Sequence, residues 1–143
     1  MAKPEDTIPA IWETEEDKKL STFDLKTKYK KFISKHFQGN QYLNKDTGIH
    51  ISVSCDGVRQ WVTKSRSREK IIIIRILDFL LENSIHDGLL IPDRKHRAEI
   101  EHYKHFYQPV LINGKKYNAI LKIVKPLNQP HKFYYCSLEN SQT

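Results

Sequence analysis

Residues 105–125 read HFYQPVLINGKKYNAILKIVK. Two runs in which apolar and polar side chains alternate meet at Asn113-Gly114. That dipeptide accepts the left-handed backbone of a tight hairpin turn more readily than almost any other. The stretch therefore predicts two antiparallel strands. The first extends back to Ile100, and the second presents Tyr117, Ala119, Leu121 and Ile123 on one face. Downstream, a loop with Pro126 and Pro130 leads to a last strand over residues 133–138. Upstream, residues 92–101 (PDRKHRAEIE) read as a charged loop, and residues 89–91 as a short strand after the turn His86-Asp87-Gly88.

Further toward the N-terminus the period changes from two to 3.6. Leu25, Tyr29, Phe32, Ile33 and Phe37 form one helical stripe, with Ser21 or Thr22 as cap and Gly39 just past the end. Ile49, Ile51 and Val53 alternate with His50, Ser52 and Ser54, a strand that ends at the turn signal Asp56-Gly57. Val58, Trp61 and Val62 then have helical spacing. Residues 68–83 follow behind the capping Ser67. Four consecutive isoleucines, residues 71–74, have strand propensity, but the length of the run and the interrupting Arg75 and Asp78 favour a mostly buried helix. The expected fold is α+β, with N-terminal helices packed on one face of a mainly antiparallel sheet of about four strands.

The chain has 143 residues, with 24 Lys and Arg against 17 Asp and Glu, and a net charge of +7. This length is too short for a complete doubly wound dehydrogenase or a (β/α)₈ barrel and suits one domain. Residues 1–20 hold six acids and three lysines and read as an acidic flexible arm, leaving +10 on a single domain over residues 21–143. Such a body favours a polyanionic partner. The N-terminus carries no secretory signal pattern, and the most apolar stretch, residues 71–81, falls short of the ~20 residues that span a bilayer. Cys55 and Cys136 lack metal or redox spacing. They are expected as buried or half-buried thiols in a reducing cytoplasm, with no structural metal and no cofactor. Nucleotide-binding, zinc-protease, nucleophile-elbow and paired-carboxylate motifs are absent.

The strings GIHISVSCDGVRQWV (residues 48–62), LLENS (80–84), HFYQPVLINGKKYNAILKIVK (105–125) and HKFYYCSLE (131–139) carry a family likeness. Over residues 49–138 the chain resembles the large polyvalent protein-associated domains of phage and mobile elements. These are similar to the barnase–EndoU–colicin–RelE-like group of small nuclease folds. The resemblance implies nucleic-acid contact, with metal-independent ribonuclease chemistry in some members and no established activity in others.

Two constellations then stand out. The basic run Arg59, Lys64, Arg66, Arg68 and Lys70, with Trp61 beside it, is a candidate RNA or DNA contact: guanidinium forks grip phosphate, and an indole either stacks on a base or joins the core. His102, His105 and Tyr107 are the candidate catalytic group. A ribonuclease without a metal needs a base for the 2′-hydroxyl proton, an acid for the leaving oxygen and a cation for the phosphorane. Either histidine can supply the base or acid, Tyr107 or Tyr134 a proton donor, and Arg59, Lys64 or Arg66 the cation. On a strand, His105 and Tyr107 share one face with Tyr103, and His102 and Lys104 share the other. The alternative from another class is a non-catalytic module that grips a protein, such as an antitoxin or immunity partner or a larger phage protein, through its exposed sheet face.

Overall fold

A computed structural model describes residues 8–37 and 39–140, apart from the side chains of residues 55 and 56. The first seven residues of the acidic arm and the Cys55 thiol lie outside that description.

Strand β1 (Ala10–Ile11) and helix α1 (Glu15–Lys18) precede the long helix α2 (Thr22–His36). Strands β2 (Gln41–Leu43) and β3 (His50–Ser52) lead into α3 (Cys55–Lys64). The chain continues through α4 (Arg68–Ile72), a 3₁₀ turn (Ile73–Ile76), α5 (Leu77–Asn83) and β4 (Ile85–His86). The meander β5 (Ile100–Ile112), β6 (Lys115–Pro126) and β7 (His131–Asn140) closes the fold. Among the described residues, no helix is long and apolar enough to cross a membrane.

The hairpin forms where Asn113-Gly114 demands it. Asn113 and Gly114 have φ of 53° and 80°, and the ladder runs from Ile112↔Lys115 back to Ile100↔Pro126. The sheet is larger than expected. It has seven strands rather than about four and is mixed rather than mainly antiparallel, in the order β1-β5-β6-β7-β3-β2, with β4 also on β5. The unexpected strands are β1, parallel to β5 at Ala10↔Leu111, and β2, antiparallel outside β3; β3, expected from the alternation of Ile49, Ile51 and Val53, pairs parallel to β7 at Ile51↔His131. β1 and β2 are too short to show an alternation, and the direction in which β1 and β3 pair is set by where the preceding chain arrives. The short strand expected at residues 89–91 lies instead at Ile85–His86, and Ile91 makes a single bridge to Tyr103.

Pro109 explains why the outer edge of β5 takes two separate partners. The N–H groups of Tyr103 and Leu111 point to that edge, toward the carbonyls of Ile91 and Pro9. Strand periodicity aims residue 109 the same way. Having no N–H, Pro109 falls between β4, which ends opposite Phe106 and Tyr107, and β1, which starts opposite Leu111.

The helices cover one face of the meander. Leu25, Tyr29 and Ile33 of α2 meet Ile71, Ile72, Ile73, Ile74, Leu77, Leu80 and Leu81, all buried, against Phe106, Val110, Leu121 and Ile123. The isoleucine run is helical, as its length favours, but it tightens to 3₁₀ at Ile73–Ile76, where successive β-branched side chains crowd an α-turn. Asp56-Gly57 opens α3 instead of making a turn, because Ser54 Oγ accepts from the Gly57 N–H as an N-cap. Cys136 is buried, and burial pushes its thiol up to about 12.

Residues 8–20, expected as part of a loose arm, are docked. Asp17 is fully buried, accepting from Tyr29 Oη at 2.8 Å and pairing with Lys28. Burial pushes its carboxyl up, but the Lys28 and Tyr29 hydrogen bonds and the Lys28 and Arg75 charges outweigh this and hold it below its ordinary value. Arg68 ties the same segment down through Glu13 Oε2 at 3.1 Å and the carbonyls of Asp17 and Leu20 at 2.7 and 3.0 Å.

Gly114 needs its missing side chain twice over: its φ is +80°, and a Cβ there would lie 3.0 Å from Trp12 Cη2. Gly114→Ala is expected to lower stability by about 1–2 kcal/mol, the cost of a left-handed L-residue. Urea unfolding measures it; an unchanged midpoint would show that the turn is not under this constraint.

Candidate functional site

Strand alternation divides the expected catalytic group. His102 and Lys104 lie on the helix-covered face near one end of β5. Tyr103, His105 and Tyr107 lie on the opposite, open face.

On the covered side, Lys104 Nζ stands 3.0 Å from His102 Nε2 and 2.7 Å from His131 Nε2. An ammonium only donates, so both imidazoles accept at Nε2 and carry their proton on Nδ1. His131, in the stretch that the sequence places before the last strand, opens β7 and is half-buried. Burial first, then the Lys104 charge, pushes it down to about 4. His102 shifts the same way for the same two reasons.

The open side is built around Lys122, which lies directly across from His105. Its Nζ is 4.4 Å from the centroid of the Tyr103 ring, 5.7 Å from Tyr134 and 5.6 Å from Tyr135. Two consecutive tyrosines face the same way because β7 carries an irregularity. Lys122 pairs with Tyr135 and Ile123 with Phe133, so Tyr134 is the extra residue. The same bulge lets Phe133 and Cys136, three apart, both reach the core. The loop over this face is anchored by Arg97, whose Nε and Nη2 donate to the two Asp93 oxygens at 2.9 Å each. Arg97 Nη2 also donates to Tyr103 Oη, which donates to Asp93 Oδ1. The Arg97 fork holds the Asp93 carboxyl far below the usual carboxylate range. The result is a cavity of about 450 Å³, lined by Arg94, Lys95, His105, Lys122, Tyr134 and Tyr135 among others. Burial, then the neighbouring Lys122, lowers His105; burial, then Arg94, lowers Lys122. Tyr107 is not in the cavity wall, and its hydroxyl donates to Asp87 Oδ2 at 3.3 Å.

The basic run does not gather into one phosphate site. Arg68 is engaged with Glu13 and two carbonyls, Arg59 hydrogen-bonds Ser34, and Arg75 reaches the Trp12 carbonyl at 2.6 Å. Lys64 and Arg66 are exposed, and Lys70 is half-buried. Trp61 belongs mainly to the core, 8 % exposed and edge-on to Phe133 at 5.9 Å. With Lys64 and Lys70 it lines a second cavity of about 310 Å³ beside β7. Tyr134 and Tyr135 border both cavities, so the two expected groups approach from opposite sides of β7 without merging. Sequence reasoning passed over Arg94, Lys95, Lys122 and Tyr135. Alternation along β6 does place Lys122 opposite the apolar face, but the loop cations had no signal beyond charge. Among the described residues no group of three His, Cys, Asp or Glu side chains is placed to hold a metal ion.

The buried neutral imidazole makes stability depend on pH. His131 titrates at 6.5 when unfolded and at about 4 when folded, so the unfolded chain binds the extra proton between these values. Its contribution is complete above 6.5 and is lost as pH falls toward 4. The melting temperature is expected to drop across that window, and less steeply in His131→Gln. Parallel curves for the two proteins would show that His131 is not the group responsible.

No curated protein and no solved structure matches the chain. A family model described as large polyvalent protein-associated domain 3 matches residues 21–135, from the start of α2 into β7. The match begins well before residue 49, where the sequence resemblance starts, and it takes in α2. It brings no support for the likeness to nuclease folds. With most of its length matched, the chain belongs to the large polyvalent protein-associated domain 3 family, a domain of phage- and mobile-element-associated proteins.

Proposed function

We propose that this domain binds single-stranded nucleic acid on the open face of its sheet. The observation that carries the reading is the placement of Lys122 among three tyrosine rings, two of them accessible: Tyr134 is 47 % exposed and Tyr135 36 %. Arg94 and Lys95 line the same cavity, where among the described residues the acid is Asp93, paired with Arg97. Exposed rings offer stacking surfaces to unpaired bases, and the cations track the backbone. A duplex hides its base faces and would leave the tyrosines without a role. The alternative, a protein gripped by the same face, fits less well, since lysine is depleted at the centres of protein interfaces.

The geometry supports binding further than cleavage. Metal-independent hydrolysis needs a base and an acid on either side of the phosphate. Of the three residues expected for that work, His105 alone lines the cavity, while His102 lies behind the sheet and Tyr107 is tied to Asp87.

Fluorescence anisotropy with labelled RNA and DNA oligomers of about 12 nucleotides, within the ~4–16 such sites span, tests the proposal. Single strands are expected to bind more tightly than duplexes, and affinity is expected to fall with salt. Tyr134→Ala and Tyr135→Ala should each weaken binding about tenfold, within the ~1–3 kcal/mol of a stacked base. Affinity indifferent to salt, or unchanged in both variants, contradicts the reading.

Incubation of RNA with the domain in a chelator tests the enzymatic step separately, and intact RNA is expected. Cleavage that fell ~10²–10⁴-fold in His105→Ala but persisted in His102→Ala would restore the ribonuclease reading with His105 as its proton-transfer group.

A further inference from the structure

The second cavity invites a different ligand. On one side β7 is paired with β6 along nearly its whole length, from Val124↔Lys132 to Tyr117↔Asn140. On the other side β3 covers only His131 and Lys132. Among the described residues no strand pairs with that edge over residues 133–140. An unpaired edge presents main-chain N–H and C=O groups in alternation, a template for another strand. Proteins usually blunt such an edge. Here it borders the groove of about 310 Å³ walled by Trp61 and Gln60 of α3 and by Lys70 of α4.

We propose that this edge takes an extended, acidic peptide segment of a partner protein as an added strand. Main-chain pairing supplies affinity, and alternate side chains read the groove. Two observations choose the partner. No acidic side chain lines the groove among the described residues, whereas Lys64 and Lys70 both do, so the complement is an acidic segment. The edge also offers carbonyls as often as amides. Carbonyls repel phosphate, so a polypeptide main chain, with alternating donors and acceptors, matches this edge and a nucleic-acid backbone does not. The same two lysines disfavour a second copy of this chain, because an edge-to-edge dimer would bring both pairs together. At ~3.4 Å per residue, residues 135–140 beyond the bulge offer roughly 20 Å of regular edge, the length of an ordinary strand.

The test uses a fluorescein-labelled peptide of about ten residues alternating Glu and Val, long enough to cover such an edge. Its controls are the same peptide with Lys for Glu, and the Glu form with every valine N-methylated to remove one edge of donors. The Glu peptide is expected to bind, with each control about tenfold weaker or worse. Amide hydrogen exchange, read by NMR, is expected to slow at alternate positions within residues 133–140. The double variant Lys64→Ala with Lys70→Ala should weaken binding about tenfold while exchange at Phe106 and Leu121 stays native, which separates lost binding from lost folding. Four results would overturn the proposal: no binding of the Glu peptide, equal binding of the N-methylated peptide, slowed exchange on the Lys122 face instead, or the same β7 amides protected without peptide in a self-associated chain. The edge proposal uses the β7 main chain with Lys64 and Lys70, whereas the oligonucleotide reading uses the Tyr134 and Tyr135 rings that border both cavities, so failure of either test leaves the other standing.

Discussion

Everything in this domain depends on the two-residue period of the β5–β6–β7 meander. A strand cannot send neighbouring side chains to the same side, so a long hairpin with one apolar face has a second face of different character. Phe106, Val110, Leu121 and Ile123 face the helices, where the four isoleucines of residues 71–74 are fully buried. Each such side chain contributes about 1.5–3 kcal/mol through its removal from water. Among the described residues no helix covers the other face, and there the period assembles His105, Lys122 and Tyr103. The bulge at Tyr134 breaks the period and is what doubles the tyrosines on that face.

The second organising feature is the use of charge inside the molecule. The N-terminal segment is fastened by Asp17 to Lys28 and Tyr29, by Glu13 to Arg68, and by the Trp12 carbonyl to Arg75. Buried ion pairs recover little net free energy against their desolvation, but losing one partner is costly, so they specify where a segment lies. This changes the meaning of the basic excess. Part of the run between residues 59 and 75 is internal mortar, and the acids of the arm answer it directly. The cations around the open face, Arg94, Lys95 and Lys122, come from parts of the chain where no dense cluster is visible.

The two cavities have different chemistry although they share a wall. One joins exposed rings to cations on a broad face, and the other joins a free strand edge to two lysines. Tyr134 and Tyr135 border both. Under the two readings proposed above, the sheet face takes a nucleic acid and the strand edge a protein segment, through different groups of the same strand.

By itself the sequence determined the long hairpin, the helical stripe of α2 and the division of His102 from His105, and it favoured a helix over a strand for the isoleucine run. Each follows from local period or turn chemistry that no packing could reverse without burying polar groups. Only the tertiary structure decided that β1 joins the sheet, that β1 and β3 pair parallel to their neighbours, that residues 8–20 dock, that Arg68 faces inward and that Arg94 and Lys95 line one cavity with the tyrosines. These depend on contacts between residues far apart in the chain. A two-residue strand or a surface cation carries no local signal of its partner, so its role exists only once the core has brought that partner to it.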